Sequence, residues 1–268
     1  MGEEKVEARV NFMKYALFLG CLIPQRIPSV ELAARKLFER LGIEVLDLSG
    51  YSCCPDPVVA RLADRRMSLV LSARNLSLAE QLGLDIVTLC NGCYETLWEA
   101  NEAMKRESGL REGVNKVLSE VGRKYEGTVN VKHIVEILYE DIGIGRIKEI
   151  AKPVMFRAAV HPGCHLFREV DGEDIWRKPR MLTELVRATG AEVVSCKLDR
   201  MCCGFPMMQV NEEAALKGRL HLKLRCYEEL MVNGIITTCP TCILQFETGQ
   251  ISLRKYGLKY NFPCLHIV

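Results

Sequence analysis

One cysteine pattern is written twice along this chain. Cys21 is followed by 31 residues, the pair Cys53 and Cys54, 35 residues, and Cys90-x-x-Cys93. Cys164 is followed by 37 residues, the pair Cys202 and Cys203, 35 residues, and Cys239-x-x-Cys242. Ten of the 13 cysteines are used, and the long second spacer is identical in both copies. A duplication of this kind requires two units of similar architecture, each gathering five thiols from about 70 residues of chain.

The flanks of the repeat agree with it. Apolar runs at 15–19 and 154–160 lead into Gly20-Cys21 and His161-Pro162-Gly163-Cys164, and read as buried strands. Residues 29–41 read as a helix, with Val30, Ala33, Ala34, Leu37 and Leu41 on one face and Gly42 at its end. Its counterpart is 178–189, stopped by Gly190. Strands follow at 43–48 and 192–195, then the cysteine pairs, then helices over 61–82 and 212–232. Strands at 84–89 and 235–238 run directly into the Cys-x-x-Cys motifs. Each unit reads β-α-β-CC-α-β-CxxC-α, which predicts an α/β fold of two tandem homologous units, each a small parallel sheet with flanking helices. The expected units are 13–145 and 152–268, with a linker around 143–152. The first carries an insertion, about 108–127, that the second lacks. His133-Ile134-Val135 opens the last helix of unit one, 133–142, and His266-Ile267-Val268 stands at the matching place in unit two, so that unit's C-terminal helix is expected to be truncated. Residues 1–12 precede the first strand and are expected to be an accessory extension.

Composition narrows the function classes. The 268 residues are 49% hydrophobic and 26% charged, enough for a real core. A net charge of +2 makes no electrostatic case for nucleic acid. No apolar run reaches the ~18 residues of a membrane span. The opening Met1-Gly2-Glu3-Glu4-Lys5 is unlike a secretion signal. An odd cysteine count without an export signal points to metal ligands or catalytic thiols in the reducing cytoplasm rather than a disulfide framework. The sequence shows no glycine-rich phosphate loop, Ser-His-Asp arrangement, C-x2-C-x2-C-x3-C-P run, or flavin or nicotinamide fingerprint. Any electrons it uses must come from a partner.

The scheme also places the cysteines. All ten follow the C-terminal ends of predicted strands, the edge along which open parallel sheets build their sites. Cys90 and Cys239 also precede helices, whose N-terminal amides favour thiolate and sulfide. Structural zinc takes four ligands, usually in two close pairs. Five thiols, two of them adjacent, suit a larger iron–sulfur cluster better, with zinc in one or both units as the alternative. His165, directly after Cys164, is a candidate proton donor. The plainer alternative gives it only a hydrogen bond to a cluster sulfur or a carbonyl. His161 flanks the same cysteine, and both matter more than His133, His221 or His266. Cys196, Cys226 and Cys264 fall outside the pattern and read as small buried apolar residues. Arg61, Arg65 and Arg66 read as a solvated face ahead of an anion site, and Trp98 and Trp176 as packing residues.

The motifs Gly20-Cys21, Ser52-Cys53-Cys54-Pro55, Cys90-Asn91-Gly92-Cys93, His161-Pro162-Gly163-Cys164-His165, Cys202-Cys203-Gly204 and Cys239-Pro240-Thr241-Cys242 resemble those of the CCG-domain family. Within it they are most similar to the cysteine-rich, disulfide-reducing subunits of heterodisulfide reductases, from about residue 14 to the end. The resemblance implies a noncubane [4Fe-4S] cluster in each unit, held by Cys21, Cys53, Cys54, Cys90 and Cys93, and by Cys164, Cys202, Cys203, Cys239 and Cys242. It implies clusters facing each other at the crevice between the units, and reduction of a disulfide of the coenzyme M–coenzyme B type to two thiols. The implied partners are the ferredoxin-like and the flavin-containing subunits of such a complex. Unit one departs from the family's Cys-Cys-Gly with Pro55, although every cysteine is present. The rival expectations are the iron–sulfur subunit of a glycolate, lactate or succinate-type oxidoreductase, and a non-catalytic electron relay or zinc scaffold.

Overall fold

A computed structural model describes residues 13–167 and 174–268, so the expected extension at 1–12 lies outside the described residues. The first sheet contains β1 (Met13–Phe18), β2 (Ile43–Asp47), β3 (Ile86–Thr88) and β4 (Val131–His133), in the order β2-β1-β3-β4. The second contains β5 (Arg157–His161), β6 (Glu192–Val194), β7 (Gly234–Thr237) and β8 (Cys264–His266), in the order β6-β5-β7-β8. Every pairing in both sheets is parallel. The registers match as well. Phe18 pairs with Thr88 and Thr88 with His133, while His161 pairs with Thr237 and Thr237 with His266.

Several features differ from the sequence expectation. Each unit gains a fourth strand, β4 or β8, of three residues, too short for periodicity to register. His133 ends β4 and also caps the helix over 134–142: its Nδ1 accepts from Val135 N at 3.2 Å, and Glu136 Oε2 accepts from His133 N at 2.8 Å. The expected helix 61–82 is two helices, Val59–Ala63 and Arg65–Leu82. Asp64 between them is extended and caps the second, accepting from Met67 N at 3.0 Å. The linker contains a helix, Ile144–Ile150, that buries Ile147. Cys196 and Cys226 are not free thiols but a disulfide, because Cys196 follows β6 where the helix over 222–229 packs beside it, with the Cα atoms 6.4 Å apart. Cys264, on β8, remains free and buried. The insertion forms an amphipathic helix, Ser108–Leu118, that packs Val114 and Leu118.

The two units share a core. Leu17, Val87 and Leu89 of the first sheet lie in one apolar cluster with Ala158, Val160 and Ile236 of the second. Ile134 and Ile137 of unit one and Leu182 and Leu185 of unit two complete it. Separate clusters fill the outer face of each sheet, and Trp98 packs against that of unit one. Trp176 is instead 39% exposed, edge-on to Phe167 at 4.9 Å. Among the described residues no helix is long and apolar enough to cross a membrane.

Candidate metal centre

Parallel strands end at one edge of a sheet, and the shared core sets the two edges against each other. The chain leaves β1 through Gly20 at φ +68, where an added Cβ would lie 2.7 Å from Cys93 Sγ. It leaves β5 through Gly163 at φ +76, where a Cβ would lie 2.7 Å from Asn91 Nδ2 and 3.6 Å from Cys242 Sγ. Both turns need glycine, for the left-handed backbone and for the close approach to the thiols. The Cys-x-x-Cys motifs open the helices Asn91–Arg106 and Pro240–Leu253, with Cys90 and Cys239 as their caps.

All ten repeat cysteines come together, and all ten are free thiols. In unit one Cys21 meets Cys53, Cys53 meets Cys54, Cys54 Sγ lies 3.3 Å from Cys93 Sγ, and Cys93 meets Cys90. In unit two Cys164 Sγ lies 4.0 Å from Cys202 Sγ, Cys202 meets Cys203, Cys203 meets Cys242, and Cys242 meets Cys239. Cys90 and Cys239 meet each other, so the two sets of five form one unbroken string of sulfur contacts across the unit boundary. Cys54, Cys90, Cys93, Cys203, Cys239 and Cys242 form a buried floor, while Cys53 and Cys164 stay exposed at the mouths.

Crowding splits the thiol acidities. Hydrogen bonds from Cys53 and Cys93 pull the Cys54 thiol down to about 5, and those from Cys164 and Cys203 pull Cys202 down to about 2. Their donors move the other way: Cys53 is pushed well up by Cys54, and Cys164 by Cys202. Thiolates are thus formed at the price of protons held on neighbours, a charge pattern that a bound cation relieves by displacing those protons. Free sulfur donors, glycine cradles and shared protons together fit a sulfur-ligated metal group.

The unit boundary is clamped by polar side chains. Asn91 Nδ2 donates to Pro162 O at 2.6 Å, and Asn91 Oδ1 accepts from Thr238 Oγ1 at 2.7 Å. His266 Nε2 meets Leu89 O at 2.8 Å. His165, from unit two, pairs through Nδ1 with Oε2 of the buried Glu95, from unit one. His165 therefore stands on the boundary, in the wall of a cavity of about 60 Å³ formed with Pro57, Cys164, Cys202 and Phe205. Beside it, Arg61 and Arg65 line an open groove of about 380 Å³, where Arg61 is neutralised by Glu99 at 2.5 Å.

Sequence reasoning missed Glu95, Asn91 and Lys223. Lys223 is wholly buried beside the second cysteine set; its Nζ donates to Leu198 O and, at 3.2 Å, to Asp199 O, and burial brings it down to about 8. The available signal for Lys223 was a charge on the apolar stripe of Leu216, Leu220, Leu224 and Tyr227, with nothing in the sequence to name its partner.

Comparison with known proteins agrees with this geometry. The cysteine-rich domain family CCG matches residues 15–97 and 158–247, one match per unit. The chain is 38% identical over 258 residues to the B subunit of the ferredoxin/F(420)H(2)-dependent CoB-CoM heterodisulfide reductase of Methanosarcina acetivorans, covering 94% of this chain and 86% of that one. It is 30% identical over 258 residues to the 8-methylmenaquinol:fumarate reductase membrane anchor subunit of Wolinella succinogenes, covering 95% and 89%. Its fold is similar to the crystal structure of a hypothetical protein from Helicobacter pylori, with a TM-score of 0.70 at 16% identity over 95% of this chain and 47% of that one.

Proposed function

The chain belongs to the CCG cysteine-rich domain family, and from that premise we propose that it is the disulfide-reducing subunit of a heterodisulfide-reductase-like complex. The observation that carries this reading is the single string of ten thiols, whose two halves meet at Cys90 and Cys239, with a cavity lined by the second set beside that contact. In this reading Cys21, Cys53, Cys54, Cys90 and Cys93 hold one noncubane [4Fe-4S] cluster, and Cys164, Cys202, Cys203, Cys239 and Cys242 hold the second. When bound, such clusters supply one-electron transfer next to a metal with affinity for sulfur. Cleaving a disulfide takes two electrons and two protons and gives two thiols. Two equivalent sets that touch at Cys90 and Cys239 can take one sulfur of the substrate each.

The chain's own side chains carry the rest. Pro57, Phe205 and Pro206 line the crevice and limit water around the reacting sulfurs. His165, oriented by Glu95, is the proton donor to a departing thiolate. The substrate is a disulfide of the coenzyme M–coenzyme B type, and the electrons come from the ferredoxin-like and flavin-containing subunits of the complex. The likeness to a fumarate reductase subunit supports one rival, in which the same sets relay electrons for a succinate-type oxidoreductase. The experiment is anaerobic assay of the metal-loaded protein with reduced viologen and a panel of disulfides. Two thiols released per disulfide consumed is the expected result. Reduction of none of them, with electron transfer coupled to succinate or a 2-hydroxy acid instead, overturns it.

A further inference from the structure

The two cysteine sets are the same in sulfur but not in what stands behind them. Phe18 and His161 occupy one structural position, at the end of the central strand of each sheet. Phe18 pairs with Thr88 and His161 with Thr237, and in each unit the Cys-x-x-Cys begins two residues after that threonine. Both side chains are fully buried. Unit one thus backs its set with a ring that offers no donor, and unit two with an imidazole.

We infer that His161 supplies a nitrogen ligand to the metal held by Cys203 and Cys242, giving the second centre a mixed sulfur–nitrogen donor set where the first has sulfur alone. This rests on the iron–sulfur reading above and adds to it an inequality between the two centres. One ring nitrogen of His161 and the Sγ atoms of Cys203 and Cys242 all lie within 4.8 Å of one another. Neither Nδ1 nor Nε2 has a hydrogen-bond partner among the described residues. The ring's nearest aromatic neighbour is the apolar Phe246, edge-on at 5.0 Å. A wholly buried imidazole with both nitrogens unused is strongly disfavoured, because its lone pair and N–H have lost water and gained nothing. A metal centre held by Cys203 and Cys242 would take up the lone pair. Thiolate and imidazole together are donors that iron–sulfur centres accept, and a change of donor set at one centre changes its reduction potential.

The test uses the anaerobically purified holoprotein, labelled with ¹⁵N-histidine, and pulsed electron paramagnetic resonance. The expected spectrum contains a coupling from a directly bound imidazole nitrogen that changes with the isotope. In His161→Phe, which installs the residue of unit one, this coupling disappears. In a potentiometric titration of that variant, one of the two redox transitions shifts while the other stays in place. Iron and acid-labile sulfide in two-centre amounts with no isotope-dependent coupling in the wild-type protein overturn the His161 assignment and leave the iron–sulfur reading intact. A holoprotein without iron overturns both. The labelled wild-type measurement decides the matter even where His161→Phe fails to fold.

Discussion

Each thiol in this string is defined by the next one along. Cys54 and Cys202 are drawn toward thiolate because Cys53 and Cys164 donate to them. Replacing either acceptor by serine removes one sulfur and leaves its neighbours without the partner that fixes their protons. Cys54→Ser and Cys202→Ser are each expected to lower bound iron and acid-labile sulfide by about half, since each disrupts one of two centres. Unchanged metal content in both variants contradicts the assignment of these residues as ligands. His165 acts at a different level, because it touches no metal in this account. His165→Gln is expected to slow thiol release about 10²-fold or more in steady-state assays while leaving iron content unchanged. Glu95→Gln is expected to act in the same direction, through loss of the pairing that orients the ring. The ten cysteines were legible in the sequence because their spacing is repeated. Glu95 and Asn91 were not, because their partners lie on the other unit, and no local pattern announces a contact made across a boundary.

The elements differ between the units where the two cysteine-pair loops differ. Gly204 follows Cys203 at φ +96, a backbone that proline cannot adopt, so the corresponding Pro55 sends the first loop along another path. That path is pinned by Thr96, whose Oγ1 donates to Pro55 O at 3.0 Å. A Cβ on Gly204 would lie 3.1 Å from Ala215 O. Gly204→Ala is therefore expected to destabilise the protein by about 1–3 kcal/mol in thermal or urea unfolding, combining left-handed strain with that close approach. Gly109→Ala, on a helix with nothing within 4 Å of the added carbon, is the control expected to be neutral or stabilising. Equal effects at both positions contradict the structural account of the loop. The parallel sheets and the helices over them were legible from apolar runs punctuated by glycine. The fourth strands were not: at three residues, β4 and β8 are specified by their neighbours β3 and β7 rather than by their own pattern.

The whole molecule is held by the apolar core between the sheets and by buried imidazoles at its boundary. His133 is brought down to about 3 by burial, and His161 and His266 are lowered for the same reason. In the unfolded chain these rings take a proton near pH 6.5, whereas in the folded protein they resist it. Their contribution to stability is therefore complete above pH 6.5 and declines as the pH falls from there toward 3. Glu136 and Asp199, raised by burial, oppose this from the carboxylate range upward. Between pH 6.5 and pH 5 His133 should account for about 2 kcal/mol of lost stability. The urea midpoint should fall over that interval, and His133→Gln should flatten the dependence; a midpoint indifferent to pH contradicts the burial of these rings as neutral groups. The central claim is that ten thiols gather into two facing multi-iron centres, and anaerobic diffraction at the iron absorption edge tests it most directly. The account predicts two multi-iron peaks, one over each set of five cysteines, on either side of the contact between Cys90 and Cys239. Single zinc peaks at those places, or disulfides among the ten cysteines with no metal, would contradict it.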